Sequence, residues 1–333
     1  MTRPLNILTW HVHGSYLYYL SHVPHLLYLP VKPGRPEGYG GRLPGLPWPQ
    51  TVVEVAAERA RDLDLDCILF QSRKNFVEDQ LEILSPAQRR LPRIFLEHDP
   101  PREQPTDTRH PVDDPDALLV HVTAFNELMW DNGRTPTRVI EHGVAVPDGV
   151  RYSGEIARGI VVVNGLPSRG RRLGADVFTA ARERVPLDLV GLESDAAGGL
   201  GEAGHDELPA LIARYRFFFN PIRYTSLGLA VCEAMMLGVP IVALATTEMA
   251  TVVENGKSGM VDTRLDVLVD GMRRLLADPR EAMRLGDGAR RTAERRFGIE
   301  RFVRDWNDVL EEVTGLPVPR LRAGRRRSIA AHA

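Results

Sequence analysis

Short apolar runs rich in β-branched residues alternate with amphipathic stretches along the whole chain, and nothing else in the sequence constrains the fold as much. Such alternation is the mark of βαβ units and parallel sheets. In the first half, residues 5–10, 26–29, 67–71, 93–97, 117–122 and 138–141 read as strands, while 50–62, 76–84 and 124–132 carry helical periodicity. A Pro/Gly-rich stretch, 30–49, breaks the rhythm and reads as a long loop. The segment 142–159 (HGVAVPDGVRYSGEIARG) reads as a linker, after which the alternation starts afresh. Strands are expected at 159–163, 187–190, 216–220 and 241–245, with helices at 175–184, 207–215 and 227–237 and helical segments from 265 to 312. A chain of 333 residues is long for one core and suits two. The expectation is therefore an α/β protein with two doubly wound, Rossmann-like domains facing across a cleft, in which ligands sit beyond the carboxyl ends of the strands.

Charge and composition exclude more than they identify. A net charge of −2 gives no general attraction for nucleic acid, which is not expected as a partner. No secretory signal is recognised at the start, and no run is long and apolar enough to span a membrane. Cys67 and Cys232 sit in apolar runs and read as small buried hydrophobes, consistent with a reducing cytoplasm. The stretch 317–333 carries Arg320, Arg322, Arg325, Arg326 and Arg327; it reads as a solvated, disordered basic tail with the capacity for peripheral contact with an anionic membrane.

The chemistry concentrates in NPIRYTSLGLAVCEAMMLGVPIVALATTEMATVVENGKSG, residues 220–259. A strand here ends in a Pro-containing loop, and Ser226-Leu227-Gly228 opens a helix, with Ser226 expected as its cap and Gly228 admitting a close approach. A helix start directly after a strand of a doubly wound sheet is a natural anion site, suited to a diphosphate. Glu233 stands alone among Leu229, Val231, Cys232, Ala234, Met235 and Met236, and a carboxylate on an apolar helix needs a partner. A ribose diol would serve; so would a buried salt bridge or a neighbouring loop.

The run SLGLAVCEAMMLGVPIVA followed by VVENGKSGMV resembles the group 1 retaining glycosyltransferases of the GT-B fold, whose pattern is E-x-F-G-L-x-x-x-E-A-M-A-x-G-x-P-V-V-A and then V-x-x-G-x-x-G. VIEHGV is similar to the segment before that family's second domain, and FGIERFVRDWNDVLEEV to its closing helix. The resemblance covers roughly residues 159–313 and implies an N-terminal acceptor-side domain (1–150), a nucleotide-sugar domain (151–296) and a helix (297–316) that packs back on the first domain. It implies that Glu233 holds the ribose and that the backbone of Leu227, Gly228 and Leu229 meets the diphosphate. At the position of the family's sugar-contacting glutamate stands Thr225, which supplies a hydroxyl but no charge. The family's G-R-x-x-x-x-K-G loop falls on VVVNGLPSRGRRLG, placing Asn164 at its Arg and Arg169 at its Lys, with Arg171 or Arg172 serving if the loop is shifted.

Most histidines lie in the first half. His11 and His13 share one face of a strand exit; His98 follows the strand 93–97 in IFLEHDPP and resembles the family's T-x-H; His121 closes another strand. A metallo-hydrolase reading of His11-Val12-His13 lacks a following Asp-His and cysteine ligands, so no metal site is expected. The implied activity is transfer of a hexose from a UDP- or GDP-linked sugar to a hydroxyl acceptor, glycan or lipid-linked, with retention, in the cytoplasm and without metal or other cofactor. His98, Arg169 and Thr225 would take the catalytic roles. The competing readings are a sugar-nucleotide epimerase and a nucleotide-binding protein that has lost catalysis.

Overall fold

A computed structural model describes residues 2–12 and 14–320, and the chain divides into two compact units. The first joins Met1–Gly143 to a C-terminal segment that begins at Ile299; the second runs over Val144–Gly298. Arg322, Arg325, Arg326, Arg327 and His13 lie outside the described residues.

The first unit holds a seven-stranded sheet of β1 (Asn6–Thr9), β2 (Leu26–Val31), β3 (Val52–Ala56), β4 (Cys67–Phe70), β5 (Arg93–Glu97), β6 (Ala117–His121) and β7 (Thr137–Val139), in the order β3-β2-β1-β4-β5-β6-β7. Every pairing is parallel. The helix expected at 50–62 is instead strand β3 followed by a 3-10 helix, Ala57–Asp62. Val52, Val53 and Val55 are β-branched, and register with Leu27–Val31 of β2 outweighs the helix-favouring AAERA that follows. The amphipathic helix Ile299–Thr314 belongs to this unit and buries Phe302, Val303, Trp306, Val309 and Leu310. Its two large aromatic side chains contribute about 1.5–3 kcal/mol each by burial. Trp306 Nε1 donates to Tyr16 Oη at 3.2 Å, and Arg138 pairs with Glu312 at 2.6 Å. Arg320, the first arginine of the expected tail, pairs with Asp308 and Glu311 of the same helix rather than hanging free in solvent.

The second unit holds five parallel strands, β8 (Ile156–Val162), β9 (Leu187–Val190), β10 (Tyr215–Asn220), β11 (Ile241–Leu244) and β12 (Gly259–Asp262), in the order β12-β11-β10-β8-β9. β10 reads YRFFFN and is buried along its length, as a central parallel strand covered on both faces must be. The buried Arg216 at its start is satisfied by the carbonyls of Gly154, Leu275 and Leu276. From two adjacent strands in the middle of this sheet the chain diverges: β8 leads outward to β9, and β10 outward through β11 to β12. The carboxyl ends of β8 and β10 therefore flank the switch point, where open α/β sheets bind ligands.

Candidate nucleotide site at the switch point of the second sheet

Two connections leave that point, and every candidate of the second unit lies on one of them. After β8 the chain turns through Gly165 in the left-handed region (φ 64°) and forms the helix Leu166–Leu173, kinked at Gly170 (φ 56°) and closed by Gly174 (φ 82°). Asn164, Arg169, Arg171 and Arg172 thus sit at the mouth of, or along, a kinked helix, where an open loop was expected. Asn164 Oδ1 accepts the Leu192 N–H at 2.9 Å and braces the connection after β9. Arg169 is exposed and makes no ion pair among the described residues. Arg171 is bound to Asp176 at 2.6 Å, and the carbonyl of the half-buried Arg172 accepts the N–H groups of Arg223 and Tyr224 at 3.1 Å each.

After β10 the chain runs from Pro221 to the helix Leu229–Leu237. Gly228, rather than the expected Ser226, is the residue before that helix, and as a glycine it has no side chain to cap it. The amides at such a helix start are directed at an approaching ligand. Gly228 is exposed, and a Cβ built there would meet nothing within 4 Å, so the space in front of the helix is open. Leu227 is buried, and Thr225 and Ser226 are half-buried. Glu233 is buried at 6% exposure on a helix whose other buried positions are all apolar.

The two connections are locked together. A Cβ on Gly174 would fall 2.0 Å from the Pro221 carbonyl oxygen, so only glycine permits this approach. Arg223 donates to the Arg171 carbonyl at 2.8 Å and pairs with Asp176, whose carboxyl it holds below the usual carboxylate range. Thr246 Oγ1 donates to the Ile222 carbonyl at 2.9 Å and adds the connection after β11. Beside it, Thr247 occupies the left-handed region (φ 50°), an uncommon conformation for a β-branched residue. Sequence reasoning missed Asp176, Arg223 and Thr247; only the arginine in NPIRYTS offered a signal.

In the first unit, His98 is half-buried beyond β5, and its Nε2 lies 3.2 Å from Gln71 Oε1. Gln71 Nε2 donates to Thr9 Oγ1 and to the Trp10 carbonyl, which fixes the amide orientation and makes His98 Nε2 the donor. His98 is thereby tied to the ends of β1 and β4, the switch point of the first sheet. His121 is fully buried, bonded to Asn132 at 2.8 Å, and burial lowers its pKa, so it is part of the core. His11 is tied to the Gly41 carbonyl. Among the described residues no group of His, Cys, Asp and Glu is arranged to hold a metal ion, and both cysteines are buried and in no disulfide.

Two parallel-strand α/β units with these topologies define the GT-B fold. Residues 175–278 match the family model described as Glycosyl transferases group 1. The chain is similar to sucrose-phosphate synthase from Thermosynechococcus elongatus (16% identity, 94% of this chain and 99% of that one, TM-score 0.67). It is also similar to Anabaena HepE in complex with UDP (16% identity, 93% and 100%, TM-score 0.66). By sequence it is 30% identical over 151 residues to alpha-D-kanosaminyltransferase of Streptomyces kanamyceticus, covering 44% of this chain and 38% of that relative. The family model thus covers part of the second unit, the curated relative is matched over less than half of its length, and the solved structures share the fold.

Proposed function

We propose that the protein transfers a hexose from a nucleoside diphosphate sugar, UDP- or GDP-linked, to a hydroxyl acceptor with retention. The observation that carries this reading is the placement of Arg169, which has no ion pair among the described residues, and of the start of the helix Leu229–Leu237 on the two connections that flank one switch point. HepE, a neighbour of the same fold, binds UDP.

In the proposed reaction the bond from the anomeric carbon to the diphosphate oxygen breaks and a bond to the acceptor oxygen forms. The acceptor proton passes to the departing diphosphate. Arg169 and the amides of Gly228 and Leu229 stabilise the charge that develops on that leaving group. Glu233 accepts the ribose hydroxyls, Thr225 meets the donor sugar, Arg171 and Arg172 shape the arginine-bearing helix, and His98 serves the acceptor side. Since cationic side chains and amides neutralise the diphosphate, no divalent metal is needed in this account. The setting proposed is cytoplasmic, with the acceptor a glycan or a lipid-linked sugar; among the described residues no helix is long and apolar enough to cross a membrane.

A second reading rests on Asn164 and Thr225. The first spends its side-chain oxygen on bracing Leu192, and the second offers no charge, which suits a protein that binds nucleotide without turnover. Incubation with UDP- and GDP-hexoses and an acceptor panel, with and without chelator, separates the readings. Release of nucleoside diphosphate with a new glycoside supports transfer; nucleotide binding with intact donor supports the second reading.

A further inference from the structure

The switch-point site uses the carboxyl edge of the second sheet, and the amino edge carries a different feature. Residues 254–258 directly precede β12, so in an all-parallel sheet they lie at the opposite edge from the connections after β8 and β10. The helix Pro279–Arg296 crosses this edge in backbone contact: a Cβ on Gly288 would fall 1.7 Å from the Lys257 carbonyl oxygen. Gly288 therefore lets the turn at Lys257 pack directly on the helix between Arg284 and Arg291. The result is a concavity of about 270 Å³ lined by Lys257, Arg284, Arg291 and Arg295, with Glu254 the one acidic residue in its wall.

Among the described residues, two of these four cations are paired and two are not. Lys257 pairs with Glu254, and Arg284 is held by Glu281 at 2.7 Å and by the Gly256 carbonyl at 3.0 Å. Arg291 has no ion pair among the described residues, and Arg295 reaches only Thr292 Oγ1 at 3.4 Å. Arg284, Arg291 and Arg295 recur at helical spacing on one exposed face, and all three line the concavity. The volume sits at the low end of the roughly 300–1,000 Å³ of pockets for whole organic ligands, and the cationic lining favours a small oxyanion. Planar guanidinium groups match such an anion through paired hydrogen bonds.

We propose that this concavity binds a phosphate group, separately from the nucleotide site. The phosphate is either free or the headgroup of an anionic lipid. The test compares the full-length wild type with the double variant Arg291→Gln, Arg295→Gln in two arms. One arm titrates inorganic phosphate; the other measures sedimentation with vesicles of phosphatidylglycerol and phosphatidylcholine against phosphatidylcholine alone. Loss of two charged donors is expected to weaken binding at least tenfold in one arm or both. Circular dichroism of the variant controls for folding, and both side chains are exposed. Arginine-dependent binding in the phosphate arm alone assigns a free anion, and in the vesicle arm a lipid headgroup. Equal behaviour of the two proteins in both arms overturns the proposal.

Discussion

Asp176 and Arg223 form a two-pronged ion pair, Oδ1 to Nη1 at 2.5 Å and Oδ2 to Nη2 at 2.8 Å, that bridges the connections on either side of the second switch point. The same carboxylate also holds Arg171. Both partners are about one-third exposed, so the pair's direct worth to stability is small, roughly 0–1 kcal/mol. Its consequence is positional. Asp176→Asn is expected to weaken nucleotide diphosphate binding several-fold while moving Tm by little, read by calorimetric titration beside a thermal melt. A variant with unchanged affinity would leave the bridge without a role in the site.

Gly174 and Gly228 separate packing from ligand space. At Gly174 a methyl group meets backbone at 2.0 Å with φ at 82°, so Gly174→Ala should cost about 2–4 kcal/mol and lower the urea midpoint. At Gly228 the backbone is extended and nothing lies within 4 Å, so Gly228→Ala should leave stability intact and reduce nucleotide affinity. Equal stability loss in both would contradict the open space drawn in front of the helix.

Glu233→Ala tests the ribose assignment. Loss of charged hydrogen bonds to a diol should cost about 1.5–3 kcal/mol of binding free energy. Glu233→Gln keeps the volume and should lose less. If both variants bind a nucleoside diphosphate like wild type, the carboxylate serves the fold alone.

His25 gives the first unit a pH dependence. Its Nδ1 accepts the Leu5 N–H, its Nε2 donates to Asn307 Oδ1, and burial pushes its pKa down to about 4. The folded chain keeps this ring neutral while the unfolded chain protonates it below about 6.5. Its contribution is therefore full above pH 6.5 and declines as pH falls towards 4, by roughly 3 kcal/mol in all. Urea midpoints of wild type and His25→Gln across pH 4–7 check this: the variant should be less stable at pH 7, with the gap narrowing in acid.

The second unit was the more legible half. The spacing in SLGLAVCEAMMLGVP ties a helix start, a lone carboxylate and a glycine to one another, so local sequence fixes their relation. β12 escaped notice because GMVD is too short to show a period. In the first unit β3 depended on register with β2, a non-local contact that no window of residues 50–62 contains. The helix Gly14–Leu20 was also unread, since GSYLYYL is buried over Tyr16–Leu20 and lacks a polar face to mark its turn. Asp176 could not be foreseen as the bridge, because Arg223, 47 residues away in sequence, is brought to it by sheet order.

In the proposed function the connections after β8 and β10 bind a nucleoside diphosphate through Arg169 and the helix start at Leu229. Calorimetric titration of UDP and GDP into wild type and Arg169→Glu tests it most directly. Wild type is expected to bind at least one of the two, and the charge reversal to weaken that binding about a hundredfold or more at unchanged Tm. Equal affinity in the two proteins, or no binding of either nucleotide by wild type, would contradict the account.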